Sequence, residues 1–210
     1  MNVRLALIGD SIFDNGSYVL PGQMSLLDHV QSLLPAKSKA TLFAKDGTIV
    51  SDVRKQISII PDTASHIIMS AGGNDALGAM SIMSNPVTSI KEALSRLATI
   101  RRDFAADYRA TLAKLSELKK PFAICTIYES VPGLPDELKT ALSIFNDTIT
   151  REGLALSIPI IDLRHVCVDH DDYSSISPIE PSELGGKKIA SAIKSWLDRR
   201  SRHPLPEPRN

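Results

Sequence analysis

Ser11 follows the apolar run Val3-Arg4-Leu5-Ala6-Leu7-Ile8 and sits within Gly9-Asp10-Ser11-Ile12. A hydroxyl at the point where a buried strand gives way to a glycine-flanked turn is well placed for a nucleophile. The strand holds it still, and the turn leaves backbone N–H groups beside it. Serine attack on an ester carbonyl makes a tetrahedral oxyanion, and that charge needs donors fixed in advance. The chain offers three candidates: the backbone N–H of Ser11, the backbone N–H of Gly47, where a glycine lets main chain approach a ligand closely, and the side-chain amide of Asn74. Asp10, Gly73 and Asp75 flank these groups and are expected to border a substrate, with Gly72 and Gly73 allowing a sharp turn that Asp75 holds through backbone hydrogen bonds.

The elements that must position these groups alternate along the chain. Val3 to Ile8, Thr41 to Ala44, His66 to Ser70, Phe122 to Ile127 and Ile158 to Ile161 read as short strands buried on both faces. Between them, Ser25 to Leu34, Ile90 to Leu118, Asp136 to Glu152 and Ser182 to Leu197 carry helical patterns. In the longest, Leu94, Leu97, Ile100, Phe104, Tyr108 and Leu112 recur at three- or four-residue spacing. This alternation predicts an α/β fold, a parallel sheet with helices on both faces in three layers. Such sheets bind ligands beyond the carboxyl ends of their strands, where the Ser11, Gly47 and Gly72-Gly73-Asn74-Asp75 segments all fall. One domain over residues 1–200 is expected, with 201–210 an extended tail around His203-Pro204-Leu205-Pro206-Glu207-Pro208.

These three segments resemble the motif blocks of the SGNH (GDSL-type) hydrolases. Gly9-Asp10-Ser11-Ile12 matches the first block with Ile in place of Leu, Gly47 the second-block glycine, and Gly72-Gly73-Asn74-Asp75 the Gly-x-Asn-Asp of the third. The resemblance implies a flavodoxin-like three-layer α/β/α fold with a five-stranded parallel sheet. It also implies esterase, lipase, thioesterase or carbohydrate-deacetylase chemistry without a cofactor or metal, with Ser11 as nucleophile and Ser11, Gly47 and Asn74 as the oxyanion hole.

The fourth block departs from the pattern. The family carries Asp-x-x-His before a Pro and a helix. Here the stretch reads Ser177-Pro178-Ile179-Glu180-Pro181-Ser182, with Ser177 at the Asp position and Glu180 at the His position. A carboxylate with a pKa near 4.3 is roughly two units less basic than an imidazole, so taking the serine proton costs on the order of 3 kcal/mol more. Burial of Glu180 would recover part of this. Arg54, about two helical turns beyond Gly47, is a candidate electrostatic partner for Glu180, since a guanidinium keeps its proton. His170, oriented by Asp169 or Asp172, and His165 are the alternative bases. The leading expectation is a hydrolase of a small ester, thioester or acetylated substrate, weaker than a His-bearing relative. The alternative is a binding domain that kept the cleft and lost its base.

Composition limits the partners. The 24 basic and 24 acidic residues cancel, which gives no long-range attraction for nucleic acid or an anionic membrane, so a small-molecule ester is the expected partner. The basic run Arg199-Arg200-Ser201-Arg202 reads as a solvated helix end. Cys125 and Cys167 are too few for a disulfide framework, and Cys125 lies in an apolar run. The Asp- and His-rich stretch 162–172 has no metal-ligand spacing, and His29 and His66 read as structural. No leader pattern or stretch of ~20 apolar residues is present, so a cytoplasmic protein is expected.

Overall fold

The computed structural model describes residues 2–202. Five parallel strands, β1 (Arg4–Gly9), β2 (Lys39–Leu42), β3 (His66–Ser70), β4 (Phe122–Cys125) and β5 (Ile160–Ile161), form one sheet in the order β2-β1-β3-β4-β5. Alternate residues enter opposite cores, so the strand sequences are apolar on both faces. Leu5, Leu7, Ile68, Ala123, Cys125 and Ile161 face one side, where they meet α1 (Leu26–Leu33) and α6 (Glu183–Arg202) through Leu26, Val30, Ile193 and Trp196. Ala6, Ile8, Ile67, Met69 and Ile124 face the other. They meet α2 (Val50–Ile57), α4 (Ile90–Glu117) and α5 (Asp136–Ala155) through Val53, Ile57, Tyr108, Leu112 and Ile149. The expected three-layer α/β/α architecture is therefore the architecture observed, with the flavodoxin-like strand order.

Local chemistry explains the helix starts. Ser25 and Asp28 form a reciprocal capping box on α1, and the Ser89 side chain accepts from Glu92 N at the start of α4. The helix α6 includes Ser201 and Arg202, and the rest of the expected tail, with His203, lies outside the described residues. His66 stacks edge-on against Trp196 with ring centroids 5.7 Å apart, and His29 is buried on α1, so both are structural as expected.

Two elements differ from the sequence reading. The segment from Gly73 is a helix, α3 (Gly73–Ala79), entered through Gly72 at φ 127°, and a 3-10 turn at Met80–Ser84 follows it. Three glycines and few apolar residues hide that helix from periodicity. The apolar stripe of α4 also has two fates. From Phe104 onward it is buried on the sheet, whereas Leu97 and Ile100 are half-buried and Leu94 is 59% exposed. The first turns of α4 are therefore not packed into the sheet core, and Leu97 and Ile100 line a cavity instead.

The strand order reverses between β1 and β3, so their carboxyl ends flank the switch point where such sheets bind ligands. Gly9 pairs with Ser70 there at φ 126°, and a Cβ on it would lie 1.7 Å from the Ser70 carbonyl oxygen. Neither the conformation nor the space admits a side chain. Gly9→Ala should therefore destabilise the protein by about 3 kcal/mol or more, read from urea unfolding midpoints.

Candidate active site

Ser11 follows β1 directly. The Asp10 N–H donates to Ser70 O at 3.1 Å, Phe13 N and Asp14 N both return to Asp10 O at 3.1 Å, and Ile12 N donates to Asp10 Oδ1 at 3.2 Å. These bonds fold the chain tightly around Ser11, whose own N–H donates to no acceptor among the described residues. Gln56 pins the strand end from α2: its Oε1 accepts from Gly9 N at 2.7 Å, and its Nε2 donates to Gly9 O at 2.9 Å and to Thr48 Oγ1 at 3.2 Å. Sequence reasoning missed this residue. The signal was a glutamine on the same helical face as Val53 and Ile57.

Glu180 arrives from the far end of the chain on a loop fixed at several points. Ser174 N donates to Glu180 O at 2.9 Å, and Tyr128 Oη donates to Ile179 O at 2.6 Å. Asn15 Nδ2 donates to Pro181 O at 3.1 Å while Asn15 Oδ1 accepts from Leu26 N at 2.8 Å, which ties the Ser11 loop to the Glu180 loop. Gly185 at the start of α6 packs so closely on Asp172 that a Cβ would lie 2.1 Å from its carbonyl oxygen. No local pattern in the sequence marks Asn15.

Ser11, Asn74, Gly73, Asp10 and Glu180 line one cavity. Glu180 is only 4% exposed. Burial raises its pKa above the ordinary 4.5, and the nearby negative charge of Asp46 pushes the same way. The Ser177 hydroxyl, and more weakly the Ser11 hydroxyl, interact with the carboxylate and pull it back down. Its Oε2 is buried with no hydrogen-bond partner among the described residues. A buried carboxylate oxygen without a donor is costly.

Asp10 is buried beneath this pair. Burial lifts its pKa from 3.8 to about 8, the hydrogen bond from Ile12 N opposes that, and Asp75 and Asp46 add to it. Burial thus favours the protonated, uncharged form of Asp10. The unfolded chain releases that proton near pH 4 and the folded chain near pH 8, so the native state binds more protons between these values. Stability from this group is full below about pH 4 and is lost up to about pH 8, at a slope of up to ~1.4 kcal/mol per pH unit. Asp10→Asn should flatten the decline in melting temperature over that window.

Other expected site residues are elsewhere. Asn74 Nδ2 donates to Thr48 O at 3.1 Å, which leaves one amide hydrogen for a ligand. Gly47 lies in the adjoining turn at φ 77° and does not line the cavity. Asp75 does not line it either: its Oδ2 accepts from Val50 N at 3.0 Å and caps α2, whose own N-cap Ile49 provides no side-chain bond. Arg54 does not pair with Glu180. Its Nη1 lies 3.2 Å from Asp107 Oδ1 and 3.3 Å from Thr111 Oγ1, both on α4. No cation is among the groups that shift Glu180.

The histidine alternatives are also placed away from Ser11. The side chains of His170 and His165 are 81% and 85% exposed, and neither lines the cavity. Asp169 and Asp172, expected to orient His170, instead hold Lys188 at 2.7 Å each.

Comparison with known proteins supports the fold. No family model matches the chain, and no curated protein matches it by sequence. Solved structures do. A lipase from a goat rumen metagenome superimposes with a TM-score of 0.70 at 19% identity, over 92% of this chain and 97% of that one. An acetyl xylan esterase gives a TM-score of 0.69 at 15% identity, over 93% and 100%. A putative lipolytic protein of the G-D-S-L family from Desulfitobacterium hafniense gives 0.65 at 14% identity, over 92% and 99%. The chain thus has the SGNH-hydrolase α/β fold, and the likeness spans nearly the whole of each molecule.

Proposed function

We propose that the protein is a serine-dependent ester hydrolase of the SGNH type in which Glu180 replaces histidine as the base. The observation that carries this reading is the meeting of the Ser11 hydroxyl and the buried Glu180 carboxylate at the polar end of one cavity. The neighbours of this fold are lipases and an acetyl xylan esterase, which agrees with ester chemistry.

The steps follow from the placement. Glu180 takes the proton from Ser11 Oγ as Oγ bonds to the ester carbonyl carbon. The carbonyl oxygen gains the negative charge and is met by the unused Ser11 N–H and the remaining amide hydrogen of Asn74. Collapse breaks the bond to the alcohol oxygen, which leaves with the proton from Glu180. Water then repeats the sequence on the acyl-serine, again giving its proton to Glu180, and releases the acid. The Gly47 N–H becomes a third donor if its turn moves toward the cavity. The raised pKa of Glu180 narrows the basicity gap to histidine, while the Ser177 hydroxyl stands in for the orienting carboxylate.

The test is turnover of p-nitrophenyl acetate together with labelling by a fluorophosphonate probe. Labelling of the wild type and loss of labelling in Ser11→Ala are expected. A non-catalytic binding protein would show neither labelling nor turnover.

A further inference from the structure

The cavity beside Ser11 has a wall that the proposed chemistry does not use. Apart from Asp10, Ser11, Asn74 and Glu180, and Tyr128, whose hydroxyl donates to Ile179 O, its side-chain lining is almost wholly hydrocarbon and thioether: Met83 from the turn after α3, Leu97 and Ile100 from the start of α4, and Leu138, Leu142 and Phe145 from α5. Phe145 is held edge-on by Phe104 with centroids 4.8 Å apart, so this wall is firm. The side toward solvent is different. Leu77, Met80 and Met83 are 43%, 43% and 45% exposed. Exposed flexible apolar side chains around a cavity mouth are costly in water unless something covers them.

We infer that the cavity binds the hydrocarbon chain of the ester, of about six carbons, rather than an acetyl group on a sugar. The inference rests on the hydrolase reading for its chemistry, and on the cavity alone for its binding. A sugar needs several hydrogen-bond partners, and beyond the four polar residues the side chains of the wall add only Tyr128, whose hydroxyl already donates to Ile179 O. The cavity holds about 130 Å³. An apolar cavity of about 150 Å³ takes a benzene, which sets the scale at about six carbons. An acetyl group would leave most of it unfilled.

The chain could belong to the acid or to the alcohol of the ester, and two substrate series separate them. One is p-nitrophenyl acetate through decanoate, followed by absorbance of the released nitrophenolate. The other is ethyl through octyl acetate, followed by pH-stat. In one of the two, kcat/KM should climb by up to about fourfold per methylene and level off near six carbons. If both series are flat or fall from the shortest member, the inference fails. Ala141→Trp, on the α5 side of the cavity, and Leu97→Trp, on the α4 side, should each abolish the climb while holding turnover of the shortest ester within about threefold. A climb that persists in both folded variants overturns the assignment.

Binding without catalysis keeps this apart from the hydrolase reading. Ser11→Ala should bind 1-hexanol at least tenfold more tightly than 1-propanol by calorimetry, and Ala141→Trp should lose that difference. If Ser11→Ala hydrolyses esters as the wild type does, the catalytic reading falls and the alcohol titrations still decide the cavity. Equal affinity for the two alcohols overturns the inference even where Ser11 labels with the fluorophosphonate.

Discussion

Ser11→Ala is expected to lose hydrolysis of p-nitrophenyl acetate by about 10³-fold or more. Removal of a nucleophile leaves only what binding and oxyanion donors contribute. The wild-type serine is 8% exposed, and a methyl in place of its hydroxyl opens almost no space, so the variant should fold normally. Its melting temperature serves as the control. A rate in Ser11→Ala equal to that of the wild type would remove nucleophilic catalysis by this residue. The same variant should lose one of the two hydroxyls that lower the Glu180 pKa, so Glu180 should titrate at slightly higher pH when followed by NMR of its side-chain carbon.

Glu180→Gln has the second largest expected effect. A glutamine keeps the shape and cannot accept a proton, so the rate should fall by about 10²- to 10⁴-fold, the range general-base catalysis contributes. The pH profile gives the sign. Glu180 works as a base only when ionised, so activity should rise with pH through an apparent pKa above the ordinary 4.5 and vanish below it. A histidine base would place that limb near 6.5 and bring a different temperature dependence. His170→Ala should leave the rate unchanged, since that ring is exposed and away from the cavity. An active Glu180→Gln with an inactive His170→Ala would reverse the assignment of the base.

The surroundings of the Glu180 carboxyl bear on its proposed role as a base. It is buried, and Asp46 adds repulsion, so the larger influences except the Ser177 hydroxyl favour its protonated form. Arg54 beside it would have had the opposite effect, lowering its basicity. The pairing of Arg54 with Asp107 on α4 keeps that cation out of the site.

Much of the frame was legible in the residues. Unbroken apolar runs for the strands and three- to four-residue spacing for α4 and α6 follow from which faces must be buried, and burial on both faces of a sheet leaves no polar alternation to misread. Strand-end positions and the order of the motif blocks led to the expectation that Ser11, Asn74 and Glu180 converge, and the three line one cavity. Arg54 was misread because two turns from Gly47 places a residue on a helix without saying which way that helix faces. Asp75 was misread for a related reason: a carboxylate near a cleft is as useful to a neighbouring helix N-terminus as to a ligand.

The sequence by itself determined the layered fold, because local hydrophobic periodicity and strand-end turns are properties of contiguous residues. Only the tertiary structure decided that Glu180 reaches Ser11 while His170 does not, that Gln56 and Asn15 clamp the two loops, and that the start of α4 roofs an apolar cavity. Those outcomes depend on contacts between segments as far apart as Asn15 and Pro181, and the direction of a side chain across such a distance is set by packing and burial, which no neighbouring residue encodes.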